Sequence, residues 1–194
     1  MKNVLLLVLL FFSAFTNAQN SFQNKTIAVL PSSKLTIKGD TNIKAFDCDF
    51  DMQYLQKENN IKYIIDEPRH VRFKNAILTL NTNGFDCGSR AINKDFHKLI
   101  QSEKYPQILI ELLEIRQQKT GTANAVVIIT IAGTRKEHTF PVKFSNGDNG
   151  DILNIEGTLL LDIKDFKLEP PRKLFGMIVV KDEIEILFDL QVKI

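Results

Sequence analysis

The chain has 194 residues, and its 25 Lys and Arg residues nearly balance its 23 Asp and Glu residues, leaving a net charge of +2. A near-neutral chain without a block of clustered cations is a poor partner for nucleic acid, because affinity for phosphates needs concentrated positive charge. Its length predicts one main domain.

The first eighteen residues have the pattern of a secretory signal peptide. Lys2 supplies the positive charge, residues 4–12 are apolar, and Thr16-Asn17-Ala18 resembles a small-residue cleavage site. A membrane anchor needs about 20 apolar residues, and this run ends at Ser13, so we expect no integral membrane anchor. We therefore predict a signal peptide over 1–18, a mature domain over 19–194 and a periplasmic protein, with further secretion left open.

Apolar and polar residues alternate with period two along much of the mature chain, which predicts strands with one buried face. In the last of them Ile186 and Phe188 alternate with Glu185 and Asp189. A change of phase near Asn75 predicts a bulge. The eight predicted strands span residues 34–38, 43–51, 70–81, 108–115, 122–133, 138–144, 153–163 and 184–194.

The connections complete the predicted fold. Residues 133–136 and 145–151 are rich in turn formers and predict hairpins. Only residues 91–102 have helical spacing of apolar side chains, and Tyr105-Pro106 prevents continuation. Eight strands and one helix predict an all-β barrel or sandwich, between which the pattern alone does not choose. An eight-stranded barrel either fills its interior with side chains or holds a small ligand.

The two cysteines, Cys48 and Cys87, each follow a phenylalanine by two residues, which places Cys and Phe on the same face of a strand. They are candidates for a disulfide, a reactive pair or metal ligands. In an exported chain a structural disulfide is favoured. A nucleophilic cysteine needs a nearby base, and the nearest histidine in sequence, His97, lies ten positions after Cys87.

No motif for catalysis or metal binding emerges. His70, His97 and His138 lack the short paired spacing of zinc sites. Residues 146–151 only superficially resemble a calcium loop, since Gly157 stands where an EF-hand has Glu. The acidic residues alternate along strands, and no nucleophile elbow is present. We therefore expect no enzyme activity, no cofactor and no metal.

Six short motifs follow one another along the chain: LTIKG (35–39), NIKAF (42–46), INKDFHKL (92–99), KYPQI (104–108), ITIAGTRK (129–136) and IKDF (163–166). In this order they resemble the YceI-like family of exported bacterial proteins, described as polyisoprenoid-binding. The paired Phe-x-Cys elements, with Pro170-Pro171 and Gly176, resemble a two-cysteine branch of it. Lys164 and Lys167 depart from the family's Arg and Gly, and the Phe-Phe-Asp that usually follows the helix is missing.

The resemblance implies an extended eight-stranded antiparallel, lipocalin-like barrel with one short covering helix. It also implies an interior that takes a long isoprenoid or similar amphiphile, such as a quinone or its prenyl precursor. The alternative is a fully packed barrel that acts through its surface as an envelope stress or protein-interaction module without a ligand. The oligomeric state, monomer or homodimer, is left open.

On the family's pattern, the apolar faces of the strands would line the ligand tunnel, although in a generic β-protein the same side chains would fill the core. Arg90, near the predicted helix start, is a candidate for the ligand's headgroup, as is the basic group of Lys167, Arg172 and Lys173. For both, solvated surface cations are the alternative. The candidate tunnel residues are Phe46, Phe50, Phe140, Phe144, Leu159, Ile186 and Phe188.

Overall fold

The computed structural model describes residues 21–55, 58–147, 150–170, 172–173 and 178–194, with only the backbone for Arg172, Lys173 and Ile178. The predicted signal peptide, Pro171 and Gly176 lie outside the described residues. Within these ranges, no helix is both long and apolar enough to cross a membrane.

The described residues form fourteen strands, one α-helix and three short 3₁₀ turns, which confirms the all-β prediction. The helix α1 is Arg90–Leu99, and the 3₁₀ turns are η1 (Met52–Tyr54), η2 (Thr82–Gly84) and η3 (Ile163–Phe166). The strands are β1 (Gln23–Val29), β2 (Lys34–Gly39), β3 (Phe46–Phe50), β4 (Asn59–Glu67), β5 (His70–Lys74), β6 (Ile77–Asn81), β7 (Phe85–Asp86), β8 (Gln107–Lys119), β9 (Thr122–Ile131), β10 (Thr134–Asn146), β11 (Ile152–Asp162), β12 (Arg172–Lys173), β13 (Ile178–Val179) and β14 (Glu183–Lys193).

Eight antiparallel strands close into a ring in the order β1-β4-β5-β8-β9-β10-β11-β14. The closing pair joins β14 to β1, with Val192 opposite Val29. Further along, β14 also pairs with β2, which continues into β3 and β7. The eight-stranded barrel that the family resemblance implies is therefore confirmed, with a three-strand extension at one end.

The ring strands are not the eight segments predicted from alternation. The predicted strands 34–38 and 43–51 form β2 and β3 of the extension, whereas β1 and β4 complete the ring. In β1 only the last three residues are apolar (QNKTIAV), and β4 has two isoleucines in succession (NNIKYIIDE). Neither strand shows period-two alternation, so the alternation pattern did not predict it. The position of each strand in the ring depends on the strands with which it pairs.

Two local irregularities lie close to their predicted positions. The predicted strand 70–81 is broken at Asn75, whose φ is 60°, and the two halves pair with different parts of β8. The β9–β10 turn consists of Ala132 and Gly133, both with positive φ, which suits a two-residue hairpin. This turn lies slightly before the predicted one.

The predicted covering helix is also confirmed as α1. The Ser89 hydroxyl accepts a hydrogen bond from the Ile92 backbone N–H and so caps its N-terminus. Phe96 and Leu99 pack against the main core, and Ile100 is buried. The helix ends at Leu99, and Gln101, with a φ of 54°, leaves the helical region four residues before Tyr105.

The two cysteines form the predicted disulfide, which joins β3 to the residue directly after β7. Phe46, Cys48 and Phe50 share the inner face of β3, as the spacing predicts. Cys48 is 1% exposed and Cys87 is 4% exposed. The bond thus fastens the extension to the segment that leads into α1.

Candidate functional site

The interior of the ring holds an apolar cavity of about 200 Å³, called here the barrel cavity. Its lining comes from seven of the eight ring strands, together with β2, β6 and Ala76. Of the described residues that line it, only Asn59 is polar. An apolar cavity of this kind excludes water and accepts apolar groups.

A small side chain on β9 leaves part of this space open. Ala123 and Ala125 are buried on the inner face of β9, where the neighbouring inner positions carry Val127 and Ile129. Ala125 lines the barrel cavity. Sequence reasoning missed these alanines, although small residues with period two on an otherwise branched strand are a usable signal of interior space.

A second, smaller cavity of about 70 Å³ lies under α1 and is called here the helix-side cavity. Phe96 and Leu99 of α1 cover it, and Cys48 of the disulfide also lines it. All its described lining residues are apolar except for the backbone of Gly39. The two cavities share four lining residues, which are Leu35, Ile110, Ile129 and Ile186.

The structure brings together about half of the candidate tunnel residues. Phe140, Leu159, Ile186 and Phe188 line the barrel cavity. The Phe140 and Phe188 rings meet edge to face there, with centroids 5.9 Å apart. These four side chains are placed where a ligand in the ring would touch them.

The other candidate aromatics lie elsewhere. Phe46 lines the helix-side cavity. Phe50 is packed in the core against Phe85, with ring centroids 4.9 Å apart. Phe144 packs against the cluster of Ala123, Ala125 and Val142 and lines neither cavity.

Arg90, the candidate for a headgroup, is exposed at the first position of α1 and lines neither cavity. The Asp86 carboxylate lies at this end of the helix, accepting hydrogen bonds from the Asn93 side chain and the Gly88 backbone N–H. These bonds hold the pKa of Asp86 below its usual range. A carboxylate that stays ionised there disfavours a second anion. Lys167 is exposed after η3, and the side chains of Arg172 and Lys173 lie outside the described residues.

His138 is a polar group on the inner side of β10, opposite Val127. Its ring stacks on Phe166, with centroids 6.0 Å apart. Its buried Nε2 has no hydrogen-bond partner among the described residues. Burial lowers the pKa of His138, against the opposing charge of Asp165, so the neutral imidazole is favoured.

A larger groove, of about 830 Å³, lies open across β2, β14, β11 and β10. Its rim carries cations such as Lys34 and Lys143 beside anions such as Glu156 and Asp189. Mixed charges around an open groove do not select one class of ligand. Among the described residues, no cluster of three or more His, Cys, Asp or Glu residues could hold a metal ion.

A barrel with an apolar interior and a covering helix agrees with the family model that this sequence matches. The YceI-like domain matches residues 58–192, from the start of β4 almost to the end of β14. The chain belongs to the YceI-like domain family. A search of curated proteins found no significant match.

Solved structures support this YceI-like fold at low sequence identity. Burkholderia cenocepacia BcnA superposes with a TM-score of 0.63 at 20% identity, covering 84% of this chain and 96% of that one. A polyisoprenoid binding domain from Saccharophagus degradans, implicated in plant cell wall breakdown, gives 0.60 at 12% identity, covering 86% and 97%. The Campylobacter jejuni YCEI protein gives 0.52 at 11% identity, covering 91% and 86%.

Proposed function

We propose that this YceI-like protein binds an isoprenoid-like amphiphile, such as a quinone or a prenyl precursor, and sequesters it without transforming it. The observation that carries the proposal is the barrel cavity of about 200 Å³ with its apolar lining. The apolar tail lies in this cavity. The only polar residue of the described lining, Asn59, favours a position for the polar end beside β4.

The energetics favour the tail over the headgroup as the source of affinity. Each methylene that leaves water contributes about 0.8 kcal/mol, whereas an exposed ion pair contributes about 0–1 kcal/mol. The charged residues of the barrel surface therefore add little to affinity, and the apolar wall supplies most of it.

The comparisons support the ligand class. The Saccharophagus degradans domain, with the same fold, is described as binding polyisoprenoid. The transfer of that ligand class to this chain is part of the proposal, and the apolar interior agrees with it.

Export to an oxidising compartment is part of the same proposal. The Cys48–Cys87 bond belongs in such a compartment, because cytosolic thiols are kept reduced. A periplasmic carrier would move or buffer its amphiphile between membranes.

The rival function, a packed barrel acting through its surface, requires a filled interior. The barrel cavity favours ligand binding over that rival, since native interiors are otherwise packed to the density of organic crystals.

Native mass spectrometry of the protein purified from its own periplasm tests the proposal, followed by organic extraction of any adduct. We expect a stoichiometric apolar adduct, and the extract would identify it. An Ala125→Leu variant, which narrows the cavity, is the control and should carry less adduct than the wild type. A bare wild-type polypeptide, still bare after incubation with quinones and prenyl alcohols, would reject ligand binding.

A further inference from the structure

The interior of the barrel is divided by a constriction. Four aliphatic side chains line both the barrel cavity and the helix-side cavity and therefore lie between them. Ile110 and Ile129 are direct partners across β8 and β9. Leu35 of β2 and Ile186 of β14 come from neighbouring strands elsewhere in the wall. This set of four residues is called here the septum.

The septum is well packed. Leu35 is 4% exposed, Ile129 is 1% exposed and Ile186 is 8% exposed. The side chains belong to the main core cluster, with Ile110 packed against it. Side chains held this closely in a core do not move aside without loss of contacts.

The volumes limit what each cavity can hold. An apolar cavity of about 150 Å³ accommodates one benzene molecule, which has six carbons. By that scale the barrel cavity, at about 200 Å³, holds about eight carbons, between one and two five-carbon isoprene units. The helix-side cavity, at about 70 Å³, is too small for one further unit.

We propose that the septum of Leu35, Ile110, Ile129 and Ile186 limits the bound tail to about two isoprene units. This inference rests on the proposed function and makes it specific, because it assigns a short-chain preference to this member of the family. A longer tail has either to displace the septum or to leave its remaining units in water.

Binding of a prenyl alcohol series to the wild-type protein tests the inference directly. The probes are 3-methyl-2-buten-1-ol, geraniol, farnesol and geranylgeraniol, with one to four isoprene units, measured by calorimetry below their aggregation limits. Affinity should rise at least tenfold from one unit to two, since more apolar surface leaves water. Between geraniol, with two isoprene units, and farnesol, with three, the affinity should change less than threefold.

A pair of variants on β9 separates the septum from ordinary core packing. Ile129→Ala opens the septum, whereas Ile131→Ala, two residues further on the same face and 5% exposed, enlarges only the helix-side cavity. Ile129→Ala should bind farnesol at least tenfold more tightly than geraniol. Ile131→Ala should keep the wild-type length profile.

The outcomes distinguish a failure of ligand binding from a failure of the septum inference. If none of the four alcohols binds the wild type, the proposed function fails and the septum inference falls with it. If they bind, but affinity keeps rising tenfold from two units to three, ligand binding stands and the septum inference is overturned. Equal profiles for the two variants would also overturn it. If Ile129→Ala does not fold, Ile186→Ala makes the same opening from the other side of the septum.

Discussion

The ring of Phe188 lies over the backbone of Gly157, its direct partner across the β11–β14 pair. A Cβ atom at residue 157 would come within 2.4 Å of the Phe188 Cζ atom. Because Gly157 has no side chain, the Phe188 ring can occupy this space along the wall of the barrel cavity. Gly39 and Phe46 repeat this relationship in the β2–β3 pair.

Gly157→Ala should destabilise the fold by about 1–3 kcal/mol, because the added methyl overpacks the site and displaces the Phe188 ring. Chemical denaturation measures the loss. Phe188→Leu removes the clash, so in a double-mutant cycle the two changes should be strongly non-additive. Additive effects would show that the ring and the glycine do not depend on each other.

Ala125→Leu should weaken binding of geraniol at least tenfold while leaving the melting temperature unchanged or higher, because the three added carbons occupy part of the barrel cavity without crowding the core. Ala123→Leu is the matched control on the same face of β9. Ala123 is 1% exposed and lines neither interior cavity, although it borders the open groove, so leucine there should leave the barrel cavity and the affinity for geraniol unchanged. An affinity of Ala125→Leu equal to that of the wild type would place the ligand elsewhere.

Replacing both cysteines by serine should destabilise the protein by about 4 kcal/mol, the chain-entropy estimate for a loop of about 40 residues. The bonded cysteines are 39 positions apart. Denaturation with and without reductant measures this, and reductant should affect only the wild type. Alkylation of both thiols in unreduced wild-type protein would contradict the bond itself.

Lys167→Gly should stabilise the protein by about 1 kcal/mol. Lys167 ends η3 in the left-handed region, with φ 60° and ψ 31°, where a side chain costs about 1–2 kcal/mol. Asn75→Gly is the control, because Asn75 has the same φ of 60° but asparagine tolerates that region better. No gain from Lys167→Gly would mean that the side chain at 167 carries no strain, and equal gains at both positions would mean that lysine is no more strained there than asparagine at 75.

Stability should fall as the pH drops below about 6.5, the ordinary pKa of histidine, with a contribution from His138. Burial lowers its pKa in the folded state, so the unfolded chain binds the proton more readily and stability is lost as the pH falls through the folded-state value. His138→Phe, which keeps the stacking on Phe166, should flatten the dependence of unfolding free energy on pH in this range. If the unfolding free energies of the wild type and the variant depend equally on pH, His138 is not a source of the pH dependence.

The sequence predicted some local features well because they depend on near neighbours. The helix follows from the spacing of Phe96 and Leu99, the strand break from the phase change at Asn75, and the shared face of Cys48 and Phe50 from period two. The strands β1 and β4 were missed because they close the ring through partners distant in the chain. Arg90 shows the same limit, since its distance from both cavities depends on how α1 sits on the barrel.

By itself, the sequence determined an all-β fold, the buried face of most strands, the covering helix and the cysteine pair, since alternation and turn chemistry act within a few residues. Only the tertiary structure decided which strands close the ring and that the interior is divided into two cavities. Free volume is what remains after side chains from distant strands have packed. Ala125 on β9 and the septum residues Leu35 and Ile186 acquire their roles only when β2, β9 and β14 meet around one interior.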